Sequence, residues 1–212
     1  MSMSSTGPVA RCALAGVLRL TLGRWGRLCC ALSLACGLAA VAATEDGGPA
    51  AADGIHLVVD TAALTLSVMR GQTLLLQLEN IAIGSNGPTR NKRTQDEKTP
   101  LGEFHINGIR TSERYHLFLS IDYPTMDHAW RALRDGRISA LEYQQLHEAW
   151  LSGRTPPQTT ALGGYLGIHG IGAGSVEIHH DFNWTNGCIA VTNEQIEVLA
   201  ALVSLGTPVS IR

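Results

Sequence analysis

The chain has 212 residues, 16 of them basic and 18 acidic, for a formal net charge of −2. That length allows one ordinary domain and an appendage. Residues 1–43 carry four arginines and no acidic residue, so residues 44–212 keep 12 basic and 18 acidic side chains, a formal −6. An acidic domain of this kind is a poor partner for nucleic acid, and none is expected.

In chain order, the first feature is the appendage. Arg11, Arg19, Arg24 and Arg27 precede the 16-residue apolar run Leu28–Ala43, which ends in the A-x-A site Ala40-Val41-Ala42. Basic, apolar and small-residue regions in this order predict a secretory leader over 1–43, or an uncleaved N-terminal anchor. Lipidation at Cys36 is a third reading, weakened by Ser33 three places earlier, where an aliphatic residue is needed. Contact with a membrane is expected only through this leader. Residues 44–54, TEDGGPAAADG, read as a tether.

The domain proper is expected over 55–212. IHLVVD (55–60), LTLSVM (64–69) and TLLLQLENIAIG (73–84) predict strands, and the alternation of Leu64, Leu66 and Val68 predicts one buried face. Residues 85–102 combine Asn-Gly-Pro, a charge run and Thr-Pro, and read as a long solvated loop or hairpin tip. EFHINGI and YHLFLSIDY return to strand pattern. Residues 125–152 change period: Trp130 and Leu133, then Leu141, Leu146 and Trp150, predict two helices, the second capped by Ser139 with Glu142. The hairpin follows a β segment and leads towards LGGYLGIHG, so it is expected to lie over a cleft and restrict what enters. YLGIHG and VEIHH are expected as strands, NEQIEVLAALVS as a helix capped by Asn193, and TPVSIR as a closing strand. The fold class predicted is mainly β, with an inserted helical hairpin and a C-terminal helix. DGRISALE (135–142) imitates the end of a calcium loop, but its first ligand positions would be Arg131 and Leu133, so no calcium is expected.

Of five cysteines, four fall in the leader: Cys12, Cys29, Cys30 and Cys36. Cys188 is alone in NWTNGCIAVTN, so the exported domain has no internal disulfide. A lone thiol in an oxidising compartment is a liability unless it is inert or used. A thiol attacks as the thiolate and needs a base or cation nearby. His169, His179 and His180 lie upstream, and chain spacing alone leaves open which one reaches it. Gly170 and Gly187 permit close backbone approach, and free amides beside the sulfur suit an oxyanion. His179, His180 and Asp181 with Cys188 are also zinc-ligand types, but the spacing fits no zinc pattern. No metal or other cofactor is expected.

These residues resemble the catalytic signature of the L,D-transpeptidase (YkuD-type) family. GIHG is followed by TNGCIAV, with the cysteine 19 positions after the histidine, and SNGPT and KTPLGEFHI are similar to earlier family segments. The resemblance covers roughly 55–212, and its GCIAVTN version resembles a subgroup. It implies the β-sandwich-like fold of that family. It implies Cys188 as nucleophile, His169 as base and Gly170 as the carbonyl that orients the imidazole. Thr185, Asn186 and Gly187 shape the turn, with the amides of Gly187 and Cys188 as an oxyanion hole. His179, His180, Tyr165 and Trp184 are candidates for substrate contact. The implied substrates are peptidoglycan tetrapeptide stems, attacked by a monomer through a thioester and passed to an amine. Hydrolysis by the same nucleophile, or a non-catalytic wall-binding module, are the rival readings. The chain departs from the family at Ala190, where many members carry Arg, and at Asn186, where many carry His.

Overall fold

The computed structural model describes residues 54–212. The expected leader, and the expected tether apart from Gly54, lie outside the described residues. Ten strands and four helices follow: β1 Ile55–Asp60, β2 Thr65–Arg70, β3 Thr73–Leu78, β4 Pro88–Thr89, β5 Thr99–Pro100, β6 Gly102–Ser112 and β7 His116–Ile121. Then come α1 Met126–Arg134, α2 Ala140–Leu151, β8 Gly167–Gly170, α3 Val176–Asp181, β9 Ile189–Val191, α4 Asn193–Leu202 and β10 Pro208–Ile211. Eight strands form one sheet in the order β3-β2-β1-β10-β6-β7-β8-β9, and β4 pairs with β5 separately. The β1–β10 and β8–β9 pairs of the sheet are parallel.

Strand β6 joins the two halves. Its first residues, Gly102–His105, pair with β10, and Ile106–Ser112 pair with β7, with an irregularity between Ile106 and Gly108. One long strand thus carries the sheet from the β1–β2–β3 side to the β7–β8–β9 side, in the mainly β arrangement that the sequence predicts. The core follows strand alternation: Leu57 and Val59 on β1, Leu66 and Val68 on β2, Phe104 and Ile106 on β6, and Val209 and Ile211 on β10 are buried. Leu64 falls in the preceding turn with φ +52°, so the alternation begins one pair later than predicted.

The helical hairpin forms as expected, and Ser139 and Glu142 make the reciprocal capping box. Its apolar faces are only partly the predicted ones: Leu146 is buried and Leu133 packs against the core as expected. Trp130 is 56 % and Leu141 is 64 % exposed, while Ala129, Ala132, Leu146 and Ala149 are buried. On α1 the inward residues include His128, whose ring meets those of Phe104 and Tyr123 at 5.4 and 5.1 Å. Trp150 is half-buried and donates its indole N–H to the carbonyl of Pro124 at 3.0 Å.

Three further elements differ from expectation. The strand expected to run to Gly84 ends at Leu78; beyond it, Ala82 and Gly84 make single bridges to Ala190 and Thr185. The expected strand VEIHH is α3, because Ser175 accepts from the amide of Ile178 and caps a helical turn that two alternating apolar residues cannot reveal. The cap of α4 is Thr192, paired with Gln195, rather than Asn193. Asn193 instead spans to the loop after β8, accepting from the Gly172 amide at 2.9 Å and donating to its carbonyl at 2.8 Å. No helix among the described residues is long and apolar enough to cross a membrane.

Candidate active site

Cys188 and His169 reach one cleft because β8 and β9 run parallel side by side. The register pairs Ile168 with Ile189 and His169 with Ala190, so Cys188, one residue before β9, stands level with Gly167. Both side chains line one cleft of about 280 Å³, together with Arg114, Tyr115, Tyr165 and Trp184. No residue of α1 or α2 lines it, so the hairpin does not cover this cleft as expected; the loop that follows α2 contributes Gly164, Tyr165 and Leu166 instead.

The imidazole of His169 is buried and held on three sides. Its Nδ1 lies 2.8 Å from the carbonyl oxygen of Gly170. A carbonyl only accepts, so Nδ1 carries the proton and Nε2 is the basic atom. Tyr115, Phe118 and Trp184 pack around the ring at 4.1, 5.7 and 5.9 Å between centroids. A Cβ on residue 170 would meet Asn193 Oδ1 at 2.6 Å and the Tyr115 carbonyl at 2.8 Å, so only glycine fits beside the ring. Burial pulls the His169 imidazole down to about 4; the Gly170 bond opposes this, while Arg114 and His179 add to it.

Cys188 is free and half-buried. Its Sγ lies 3.8 Å from the carbonyl of Tyr165. Burial pushes the thiol up to about 11, against the Gly167 amide and the Lys92 charge, which pull it down. At neutral pH the resting pair is therefore an uncharged thiol beside an uncharged imidazole.

The turn before the sulfur is closed by one hydroxyl. Thr185 Oγ1 donates to the Cys188 carbonyl at 2.7 Å and accepts from the Gly187 amide at 3.1 Å. The Gly187 amide, expected in an oxyanion hole, is thus committed to Thr185, which leaves the Cys188 amide as the candidate donor. Gly187 has φ +122°, and a Cβ there would lie 2.5 Å from the Lys98 carbonyl. The segment after β3 pins the same turn: the Thr185 amide donates to the Ile83 carbonyl at 3.1 Å and the Ser85 amide to the Thr185 carbonyl at 3.0 Å.

The remaining predicted residues divide. Tyr165 is 70 % exposed at the cleft, with φ +56°, a conformation that costs a non-glycine residue energy and is held here by its amide donating to Gln158 Oε1 at 2.6 Å. Asn186 is an exposed lining residue, and Trp184 forms a wall. His179 and His180 do not line the cleft. His180 is exposed on α3, and His179 is buried behind Trp184, whose Nε1 donates to its Nδ1 at 3.4 Å. Ala190 is fully buried, and both its backbone groups bond to Ala82, at 2.7 and 2.9 Å. The guanidinium in the cleft comes instead from Arg114, set over the Tyr115 ring at 5.1 Å. Sequence reading missed Arg114, because the β6–β7 turn gives no sign of which way it faces. Among the described residues no three His, Cys, Asp or Glu side chains gather as metal ligands, so His179, His180, Asp181 and Cys188 do not form a zinc set.

Among solved structures, the cell-shape-determining protein Pgp2 from Campylobacter jejuni is similar at 20 % identity and a TM-score of 0.50, over 74 % of this chain and 47 % of that one. Bdellovibrio bacteriovorus Bd1075 is similar at 21 % identity and a TM-score of 0.48, over 74 % and 47 %. An L,D-transpeptidase from Mycobacterium smegmatis is similar at 13 % identity and a TM-score of 0.44, over 74 % and 58 %. The chain thus spans about half the length of these proteins, and at such identities the likeness concerns the fold alone. No curated protein matches the chain. The model of the L,D-transpeptidase catalytic domain, YkuD, matches residues 54–211, and the chain therefore belongs to that family.

Proposed function

We propose that the protein is an exported L,D-transpeptidase of the GCIAVTN kind, acting as a monomer on peptidoglycan tetrapeptide stems, with Cys188 as nucleophile and His169 as base. One observation carries this reading: the thiol shares a cleft with an imidazole whose Nδ1 is tied to Gly170, which leaves Nε2 as its basic atom. Family membership supports chemistry on the cell wall. Residues 1–43 act as leader or anchor, residues 44–54 as tether, and residues 55–212 as the catalytic domain.

The reaction begins from the uncharged pair. As the sulfur attacks the carbonyl carbon of the third stem residue, the S–H proton passes to His169 Nε2 and the carbonyl electrons move onto oxygen. The Cys188 amide stabilises that oxyanion, a contribution of about 3 kcal/mol for a well-aimed donor. Collapse breaks the C–N bond, and the imidazolium returns its proton to the departing D-Ala amine. The thioester is resolved by an amine of a second stem, which loses its proton to His169 as the thiol is restored. Arg114 faces substrate carboxylates, and Tyr165 and Trp184 flank the stem.

Incubating the protein with purified tetrapeptide muropeptides, beside Cys188→Ala, tests this by mass. Dimers with a 3→3 link in the wild type alone are expected. Shortened monomers alone mean that water takes the acyl group. No product from either protein sinks the enzyme reading in favour of a wall-binding module.

A further inference from the structure

Lys92 lies in the charged loop that the sequence presents as solvated, yet it is only 3 % exposed. Its Nζ lies 2.7 Å from Asp96 Oδ1 and 3.4 Å from the carbonyl oxygen of Asn186. The loop holds that carboxylate in place: the Lys98 amide donates to Oδ1 at 3.0 Å and the Arg93 amide to Oδ2 at 2.7 Å. Burial would raise the Asp96 carboxyl, but these bonds outweigh it and hold the group below the usual carboxylate range. From the other side, Arg137 in the turn between α1 and α2 donates to the Lys92 carbonyl at 3.2 Å. The ammonium is therefore fixed at both ends of its residue. It also touches the face of Gly187, where a Cβ would sit 2.9 Å from Nζ.

The consequence follows from peptide geometry. The C=O and N–H of one trans peptide unit point in opposite directions. Drawing the Asn186 oxygen towards Nζ therefore aims the Gly187 amide away from it, onto Thr185 Oγ1. That hydroxyl in turn holds the Cys188 carbonyl. We propose that Lys92 is a positioning residue of the reaction: braced by Asp96, its ammonium fixes the Asn186–Gly187 peptide and so sets the orientation of the thiol turn, while placing a buried positive charge behind Cys188. Together with Arg137, this links the helical insertion to the turn that carries the nucleophile. The charged and titratable groups around the sulfur are then Lys92 with its partner Asp96 from this loop, His169 from β8, Arg114 and Tyr115 from the β6–β7 turn, and Tyr165 from the loop after α2.

The inference rests on the acyl-transfer reading for its purpose, but its test reads the thiol directly and stands whether or not muropeptides are turned over. Iodoacetamide labelling of the full chain is followed from pH 6 to 10 by mass, on the peptide that carries Cys188. Lys92→Met is expected to label about tenfold more slowly at each pH, as for a thiol that holds its proton one pH unit higher. Lys92→Arg, which keeps the charge, restores most of the rate. Asp96→Asn removes the brace that holds the ammonium against the Asn186 carbonyl and is expected to label more slowly than wild type. Two results overturn the proposal: wild-type labelling by Lys92→Met, or Lys92→Met and Lys92→Arg slowed alike. Should Lys92→Met not fold, Asp96→Asn decides: slower labelling supports the braced ammonium, and equal or faster labelling overturns it.

Discussion

Two buried histidines, His128 on α1 and His169 on β8, are both pulled down to about 4, chiefly by burial. Their surroundings differ in one respect. His128 has both nitrogens engaged: Nε2 donates to the Leu101 carbonyl at 3.1 Å, and Nδ1 accepts from the Thr125 hydroxyl at 2.7 Å. Its ring also stacks on Phe104 at 5.4 Å. His169 has one nitrogen engaged, lies among rings, and borders the cleft of Cys188. A depressed titration therefore marks burial in both regions. What separates a structural histidine from a candidate base is the unoccupied nitrogen and the thiol beside it.

Exchanging the two residues' roles is the sharpest way to break the comparison. Cys188→Ala is expected to abolish turnover, and His169→Gln to lower kcat/KM by about 10²–10⁴-fold, with far-ultraviolet circular dichroism unchanged for both. His128→Leu is expected to do the reverse: kcat/KM within about threefold of wild type, but stability reduced by about 1–3 kcal/mol in urea unfolding, because Thr125 and Leu101 lose a buried partner. Equal losses of activity in the two histidine variants would erase the distinction.

Acid tests what the two sites share. Both imidazoles are lower in the folded chain than in the unfolded one, where the ordinary value is near 6.5. Between about pH 6.5 and 4 the unfolded state therefore binds more protons, and stability falls as the pH drops through that window. His128→Leu should flatten the fall in Tm between pH 7 and pH 4.5. An unchanged slope would show that His128 does not titrate as its burial requires.

The resting charge state of the site offers a finer test. With the thiol near 11 and the imidazole near 4, labelling of Cys188 should rise steadily from pH 7 to pH 10. A plateau across neutral pH would instead reveal a preformed thiolate–imidazolium pair. The smallest effect belongs to Thr192→Ala, which removes the cap of α4 and should cost about 1 kcal/mol of stability, with activity changed only through Asn193 and the Gly172 loop.

The strands of β1, β2, β6, β7 and β10 were legible because alternation of apolar residues reports one buried face directly. Cys188 and His169 were legible because a solitary thiol, a glycine-flanked histidine and the four quoted segments converge on the same chemistry. The inward faces of the hairpin were legible only in part: Leu133 and Leu146 pack inward as predicted, but Ala129 and Ala132 are buried and Trp130 is exposed, and apolar spacing alone favours the large residue. VEIHH was misread because five residues cannot distinguish a strand from a capped turn of helix. Lys92 was hidden because a charge run gives no sign that one of its members turns inward.

By itself the sequence determined the mainly β class and the inserted helices, because these depend on local pattern, and it singled out Cys188 with three candidate histidines, among which the family resemblance pointed to His169. Only the tertiary structure decided that Arg114 borders the thiol, that His179 stands behind Trp184, that the hairpin does not cover the cleft, and that Lys92 braces the turn. Those contacts join segments far apart in the chain, and proximity of that kind is set by how the sheet brings its edges and loops together.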